Sequence, residues 1–146
     1  ITDLQAGNYS VVVTDANGCT TTRTTVINEP PVLTAVANFA NVNCNGASTG
    51  SASVVPGGGT VPYTYLWSSG NTTAIANGLP AGPYTVTVTD AHGCSQTATT
   101  SVAEPTAVTA VASPPTNITC FGFNNGSASV TPGGGIPPYS FMYILY

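Results

Sequence analysis

Apolar and polar residues alternate along a stretch of the chain that occurs twice. Residues 79–94 read LPAGPYTVTVTDAHGC, and there Tyr84 and the valines after it alternate with threonines. A period of two places the apolar side chains on one face and the hydroxyls on the other, which predicts a half-buried β-strand. Residues 4–19, LQAGNYSVVVTDANGC, carry the same landmarks 75 positions earlier. The chain is therefore a tandem repeat.

Both ends of this predicted strand carry recognisable turn chemistry. The spacing of Leu79, Gly82 and Tyr84 is that of the tyrosine corner, in which a Tyr at the start of a strand of an immunoglobulin-like sandwich hydrogen-bonds the backbone upstream. After the strand, Asp90 and Gly93 predict a tight turn, because Asp accepts from the backbone downstream and Gly supplies a positive φ.

The repeat divides the chain into one complete module and two partial ones. Residues 1–30 are the C-terminal half of a module, residues 31–105 a complete module, and residues 106–146 the N-terminal half of the next. Strands of the complete module are predicted at residues 32–37, 50–55, 62–68, 84–89 and 94–102. The expected fold class is all-β, with tandem immunoglobulin-like or PKD-like antiparallel β-sandwich modules.

Aromatic side chains are expected to fill the small core of each module. Tyr63, Tyr65 and Trp67 alternate along one predicted strand, so they share one face and should meet the Tyr84 face across the sandwich. Each aromatic side chain removes roughly 150 to 250 Å² from water, which is substantial for a module of this size. The counterparts in the last segment are Tyr139, Phe141 and Tyr143.

The charge composition excludes two classes of partner. Only 4% of the residues are charged, the net charge is −4, and the chain has one Lys or Arg in total. Nucleic-acid binding and attraction to anionic lipid both depend on basic side chains, so we expect neither. No apolar run is long enough for membrane insertion, and the absence of a starting Met suggests a segment of something longer.

Four cysteines at repeated positions favour an oxidising compartment and a disulfide framework. The complete module contains Cys44 and Cys94, which we predict to be paired. The loop they would close has 50 residues, for which the chain-entropy relation gives roughly 4 kcal/mol. Cys19 and Cys120 are predicted to find partners outside their own half-modules.

Residues that often carry chemistry have structural explanations here. The glycine runs at residues 57–59 and 133–135 lack the Lys of a phosphate loop and are expected to be flexible loop or bulge positions. His92 is replaced by Asn17 in the other copy, and one Asp per turn favours an Asx turn over a calcium site. Glu29 and Glu104, each before a Pro, are expected to fix the linkers. We predict no enzyme activity, cofactor or metal.

The two partial modules leave two interpretations open. Placed end to end, residues 106–146 and residues 1–30 make almost one further module, lacking only the equivalents of residues 71–75. Either the chain is a window on a long tandem array, or successive copies complete each other's half-module by strand donation, as pilus subunits do.

Several short motifs, in order, resemble a known family. They are CNG at residues 44–46, GSA at 50–52, GGG at 57–59, PYTYLWS at 62–68, LPAG at 79–82, YTVTVTD at 84–90 and GC at 93–94. Together they resemble the SprB repeat of Bacteroidetes surface proteins. The resemblance implies a very large secreted adhesin, exported by the type IX system and displayed on the cell surface, and in one member carried by the gliding machinery. The chain departs from the family at residues 144–146, where ILY replaces a polar turn.

The predicted function is that of a structural and adhesive repeat in an extracellular, surface-displayed bacterial filament. Its expected partners are neighbouring repeats of the same chain or identical subunits. The alternatives are a carbohydrate-binding module that contacts surface glycans and an accessory module of a secreted protein. A glycan platform requires Tyr63, Tyr65 or Trp67 on a solvent face, whereas the pattern above assigns them to the core.

Overall fold

The structure, a computed structural model, describes residues 1–144, and within them it consists of β-strands and loops without a helix. Leu145 and Tyr146, where the departure from the SprB pattern is centred, lie outside the described residues. The strands are β1 (Gly7–Thr14), β2 (Thr20–Ile27), β3 (Thr34–Ala40), β4 (Gly50–Gly57), β5 (Thr64–Trp67), β6 (Ile75–Leu79), β7 (Gly82–Thr89), β8 (Ser95–Val102), β9 (Thr109–Ala112) and β10 (Val130–Gly133). The all-β prediction is confirmed.

Strands β3 to β8 form two antiparallel sheets, in the orders β3-β4-β6 and β5-β7-β8. Their apolar faces pack together, with β3 and β4 against β8 and β4 against β7. This is the β-sandwich that the alternating pattern predicts. The core consists of Leu33, Val42, Ala52, Val54, Trp67, Ala76, Leu79, Val86, Val88 and Val102.

The alternation along β7 determines which side chains enter this core. Val86 and Val88 are both 0% exposed, whereas Thr87 between them is only partly buried and Thr85 before them is exposed. Trp67 on the neighbouring strand β5 is 1% exposed, opposite Val86 in the register of the sheet. The period-two signal in the sequence therefore corresponds to burial on one face of the strand.

Two further hairpins flank the sandwich, one on each side along the chain. β1 pairs with β2 in the register of β7 with β8: Gly7 lies opposite Ile27 as Gly82 lies opposite Val102. β9 pairs with β10 as β3 pairs with β4. Corresponding segments of the repeat therefore form the same strand pairs. The module boundaries at residues 30 and 105 stay a prediction.

The glycines at residues 57–59 differ from the flexible loop that the sequence suggests. Gly58 has a φ of +65°, and a side chain there would collide with the carbonyl of Val32. Gly59 has a φ of +61°, and its N–H bonds the carbonyl of Pro31 at 2.7 Å. At these glycines the backbone passes close to that of Pro31 and Val32, and this contact fixes where the chain enters the sandwich.

Candidate functional site

Asp90 directly follows β7 and is the one buried charged side chain among residues 1–144, at 6% exposure. Its Oδ1 accepts hydrogen bonds from the backbone N–H groups of His92 and Cys94, both at 2.9 Å. Its Oδ2 accepts from the N–H of Thr60 at 3.0 Å, 30 residues away in the chain. Both carboxylate oxygens thus accept hydrogen bonds from the backbone. Oδ1 closes an Asx turn, and Oδ2 connects this turn to a second loop.

The electrostatics of Asp90 follow from these contacts. Burial by itself raises the pKa of the carboxyl group, but the N–H bonds from Thr60, Cys94 and His92 favour the charged form. The N–H bonds outweigh burial, and the pKa of Asp90 lies below its ordinary value of 3.8. The charged carboxylate therefore stabilises this end of the sandwich.

Asp15 is the repeat counterpart of Asp90 in the β1–β2 turn. Its Oδ1 accepts from the N–H groups of Asn17 at 2.9 Å and Cys19 at 2.8 Å, which are the same local bonds. Asp15 is exposed, and no loop equivalent to that of Thr60 lies against it in the described part of the chain. The local turn therefore forms from its own sequence, and the long-range bond belongs to the complete sandwich. No group of three or more His, Cys, Asp or Glu side chains suited to a metal ion occurs in residues 1–144.

The tyrosine corner is present in both copies. The hydroxyl of Tyr84 donates to the carbonyl of Pro80 at 2.9 Å, and that of Tyr9 donates to the carbonyl of Gln5 at 2.8 Å. Gly82 has a φ of +154°, a conformation that residues with side chains rarely adopt, at the point where β7 begins. The corner fixes how the chain enters β7 in one copy and β1 in the other.

The aromatic side chains of β5 and its approach lie against the core. Trp67 is buried, and its Nε1–H donates to the carbonyl of Thr73 at 2.9 Å. Tyr63 and Tyr65 are partly buried and pack against the same cluster. The hydroxyl of Tyr63 donates to the carbonyl of Gly58 at 2.5 Å. These side chains therefore lie on the core side of the sandwich, as the alternating pattern predicts.

The predicted bond between Cys44 and Cys94 does not form: all four cysteines are free and exposed. Cys94 directly precedes β8, whereas Cys44 lies in a loop that contacts residues beyond the end of β8. A strand of that length spans roughly 26 Å, since each residue rises about 3.3 Å. A disulfide requires Cα atoms within about 7 Å. The cysteines occupy opposite ends of the sandwich, which spacing along the sequence does not reveal. Cys19 and Cys120 are likewise unpaired in the described residues.

The loop that contains Cys44 is instead hydrogen-bonded to the C-terminal end of the complete module. The N–H of Gly46 donates to Oε2 of Glu104 at 2.7 Å, and Nδ2 of Asn45 donates to the carbonyl of Pro105 at 3.1 Å. Before them, Ala103 bonds through its N–H to Oδ1 of Asn41 at 2.9 Å and through its carbonyl to the N–H of Val42 at 3.0 Å. We call these four hydrogen bonds the exit clasp. Asn41 was not singled out from the sequence, and Asn45 was named only as part of the CNG motif.

The other end of the module holds the incoming linker. A cavity of about 360 Å³ is lined by Glu29 and Pro30 from the linker and by Asp90 and Cys94 from the β7–β8 turn. The chain therefore enters the sandwich beside this turn and leaves it at the exit clasp, at the opposite end of β8. Glu104, in the segment that leaves the module, accepts a hydrogen bond from the N–H of Gly46 in the loop after β3.

Residues 1–144 form no helix that could span a membrane. On the outer face of β5 and β7, an open groove of about 210 Å³ is lined by Leu66, Ser68, Thr85 and Thr87 together with Trp67. That groove presents one exposed apolar side chain among hydroxyls and no charged group.

The comparisons with known proteins agree with this repeat architecture. Residues 36–72 and residues 112–142 each match the SprB repeat family. The first match runs from within β3 past the end of β5, and the second covers the corresponding part of the last segment, including β10. No curated protein and no solved structure matches the chain.

Proposed function

We propose, from the premise that this chain carries SprB repeats, that it is a structural and adhesive segment of a secreted bacterial filament displayed on the cell surface. SprB repeats occur in cell-surface proteins, which supports an extracellular location. Export by the type IX system and a link to gliding motility belong to the same proposal. We further propose that the segment has no enzyme activity and acts through its shape and its linkers.

One observation carries the mechanical part of the proposal: the chain enters and leaves the complete module at opposite ends, and each end is fastened. At the entrance, Gly59 bonds Pro31; at the exit, Glu104 and Ala103 are bonded to the loop after β3. Repeats joined in this way extend along one line. Fastened linkers that contain Pro reduce bending between repeats, which favours a stiff fibre.

The exit clasp provides a direct test of linker stiffness. Replacing Glu104 with Gln removes the charge from the acceptor of the Gly46 N–H, and bonds to charged groups are the stronger class. We expect hydrogen exchange at the Gly46 amide to rise by about 10-fold, and NMR relaxation to report freer reorientation of β9 and β10. Glu29→Gln is the matched control, because Glu29 occupies the same repeat position but lies at the other end of the complete module. Equal exchange in all three proteins would refute a stiffening role for the clasp.

Surface display and adhesion are tested on the cells that make this protein. Antibodies against the complete module should label intact cells, and external protease should remove the signal. A deletion strain should attach less to solid surfaces than its parent. Labelling only after permeabilisation, or unchanged attachment, would refute the proposal. Tracking of single cells separates the gliding component, since a strain that loses attachment but glides normally would refute that component alone.

A further inference from the structure

The exit clasp contains an Asn-Gly pair, a sequence in which the side-chain amide can be lost without an enzyme. Asn45 precedes Gly46, and a residue without a side chain leaves its backbone nitrogen sterically free to attack the carbonyl carbon of the Asn side chain. The five-membered ring that forms is a succinimide, and its closure releases ammonia. The contacts of the attacking nitrogen and of the departing amide decide whether such a pair reacts in a folded protein.

The attacking group, the backbone N–H of Gly46, is bonded to a carboxylate. Its acceptor is Oε2 of Glu104, at an N···O distance of 2.7 Å. A general base must lie within hydrogen-bond reach of the proton that it removes, about 2.6 to 3.2 Å between heavy atoms. Glu104 meets this requirement, because the hydrogen that it accepts is the one that the nitrogen loses when the ring closes.

The departing amide is bonded to the residue that follows this carboxylate. Nδ2 of Asn45 donates to the carbonyl of Pro105 at 3.1 Å. Asn45, Gly46 and Glu104 are all exposed, so water reaches the ring once it has formed. The clasp thus places a base on the attacking nitrogen, orients the leaving group and admits the water that opens the ring.

Three other Asn-Gly pairs allow an internal comparison, and within residues 1–144 none of them has a carboxylate on its attacking nitrogen. The N–H of Gly18 donates to the backbone carbonyl of Asp15 at 3.1 Å. Asn77 lies within β6, where pairing with β4 restrains the backbone. The side-chain amide of Asn125 is bonded at both its oxygen and its nitrogen to Thr119. The three pairs are Asn17-Gly18, Asn77-Gly78 and Asn125-Gly126.

We propose that Asn45 is a self-modification site that loosens the exit clasp as the protein ages, with Glu104 as the base. The nitrogen of Gly46 bonds to Cγ of Asn45, and its proton passes to the Glu104 carboxylate. The same carboxyl group returns a proton to Nδ2, the Cγ–Nδ2 bond breaks and one ammonia leaves. One water then opens the ring to give aspartate or isoaspartate. The net change exchanges water for ammonia, with no oxidation or reduction. The inference goes beyond the proposed function.

Either product removes bonds of the clasp. An aspartate at position 45 has no N–H to donate to Pro105, and it adds a negative charge to the loop that Glu104 contacts. An isoaspartate inserts one extra carbon into the backbone before Gly46, which displaces the N–H of Gly46 from Glu104. The two bonds made by Ala103 remain. The reaction therefore releases the linker from residue 104 onward and leaves the end of β8 in place.

The corresponding loop of the next repeat lacks this site. It reads CFG at residues 120–122 where the complete module has CNG, so Phe121 occupies the position of Asn45. A phenylalanine side chain has no amide to lose. The two copies of the loop therefore differ in whether they can change with time, and the reaction acts on the linker that leaves the complete module.

Timed incubation of the full chain at neutral pH tests the chemistry. Peptide mass spectrometry of successive samples, with aspartyl and isoaspartyl peptides separated by chromatography, measures the rate at each of the four Asn-Gly pairs. We expect Asn45 to convert fastest. Glu104→Gln should slow conversion at Asn45 at least about 10-fold and leave the other three rates unchanged, because a positioned base contributes about 100-fold or more. Glu29→Gln, at the same repeat position in the preceding linker, should change none of the four rates.

The direction of the Glu104→Gln effect distinguishes two roles of the clasp. If the clasp only restrained the loop, it would protect Asn45, and weakening it would accelerate the loss of ammonia. Slower conversion identifies Glu104 as the base, whereas unchanged or faster conversion would overturn the proposal. A rate at Asn45 no higher than at the other three pairs would overturn it as well. The fluorescence of Trp67, buried in the complete module, verifies that each variant is folded there.

The structural effect is tested with Asn45→Asp, which has the same composition as the aspartyl product. Hydrogen exchange at the Gly46 amide should rise at least about 10-fold, because the Pro105 bond is lost and the new charge lies near Glu104. Asn43→Asp is the matched control, since it adds the same charge to the same exposed loop at a side chain outside the clasp. Equal exchange in the two variants would refute the loosening. Failure of surface labelling would refute the proposed function and leave these solution results unchanged.

Discussion

The repeat provides a matched pair of core mutations with opposite expected outcomes. Val86→Ala and Val11→Ala remove the same two methyl groups from the same position of the same hairpin, but the first site is 0% exposed and the second 55% exposed. Loss of two buried methyl groups costs about 0.8 kcal/mol each in transfer free energy. A residual cavity of roughly 50 Å³ adds about 1.2 kcal/mol at about 24 cal/mol per Å³. We expect Val86→Ala to lower the free energy of unfolding by about 2 to 3 kcal/mol.

Trp67 makes the assay specific for one module, because it is the single Trp of the chain and lies in the core of the complete sandwich. Urea unfolding is followed by its fluorescence at low protein concentration. With a slope near 1 kcal/mol per molar urea, expected for a small module, the midpoint of Val86→Ala falls by about 2 to 3 M. Val11→Ala should leave the midpoint unchanged. Equal shifts for the two variants, or a shift below about 0.5 M for Val86→Ala, would refute the assignment of this face to the core.

Three further expectations follow from the site. Tyr84→Phe loses the bond to Pro80 and should lower the free energy of unfolding of the complete module by about 1 kcal/mol, whereas Tyr9→Phe should leave that transition unchanged. Because the pKa of Asp90 lies below 3.8 in the folded state, its contribution is present above that value and is lost as the pH falls through the lowered pKa. The urea midpoint should therefore drop as the pH falls below about 4, and Asp90→Asn should flatten the drop. All four cysteines should react with a thiol reagent in the folded monomer, and a non-reduced digest should contain no Cys44–Cys94 peptide.

The local alternation in the sequence was sufficient to predict β7. It could not predict contacts between residues that are far apart in the chain. The alternation from Tyr84 to Val88 predicts the strand and its buried face, and the strand begins two residues earlier than predicted, at Gly82. β6 is absent from the prediction because its buried residues, Ala76 and Leu79, are three positions apart. A register shift in its pairing with β4 breaks the period of two that marks a strand.

The failure of the disulfide prediction has a similar cause. Cys44 and Cys94 each recur at a fixed position of the repeat, which indicates that each has the same local surroundings in every copy. This recurrence gives no distance between the two thiols. That distance depends on which end of the sandwich each loop reaches. The exit clasp was missed for a related reason, since Asn41 and Asn45 are unremarkable in a loop rich in Asn and become informative only when the end of β8 lies beside them.

In the proposed fibre, tension would load the complete module in shear. β3 and β8 are its first and last strands, and they pack against each other across the sandwich. Both run from the Pro31 end to the Ala103 end, because Gly59 bonds Pro31 beside the start of β8 and Val42 bonds Ala103 at its finish. A pull on the linkers therefore slides β3 and β8 in opposite directions along their length, and many contacts resist together. Forced unfolding is governed by the rate of unfolding, so this arrangement resists extension without a covalent bond between Cys44 and Cys94.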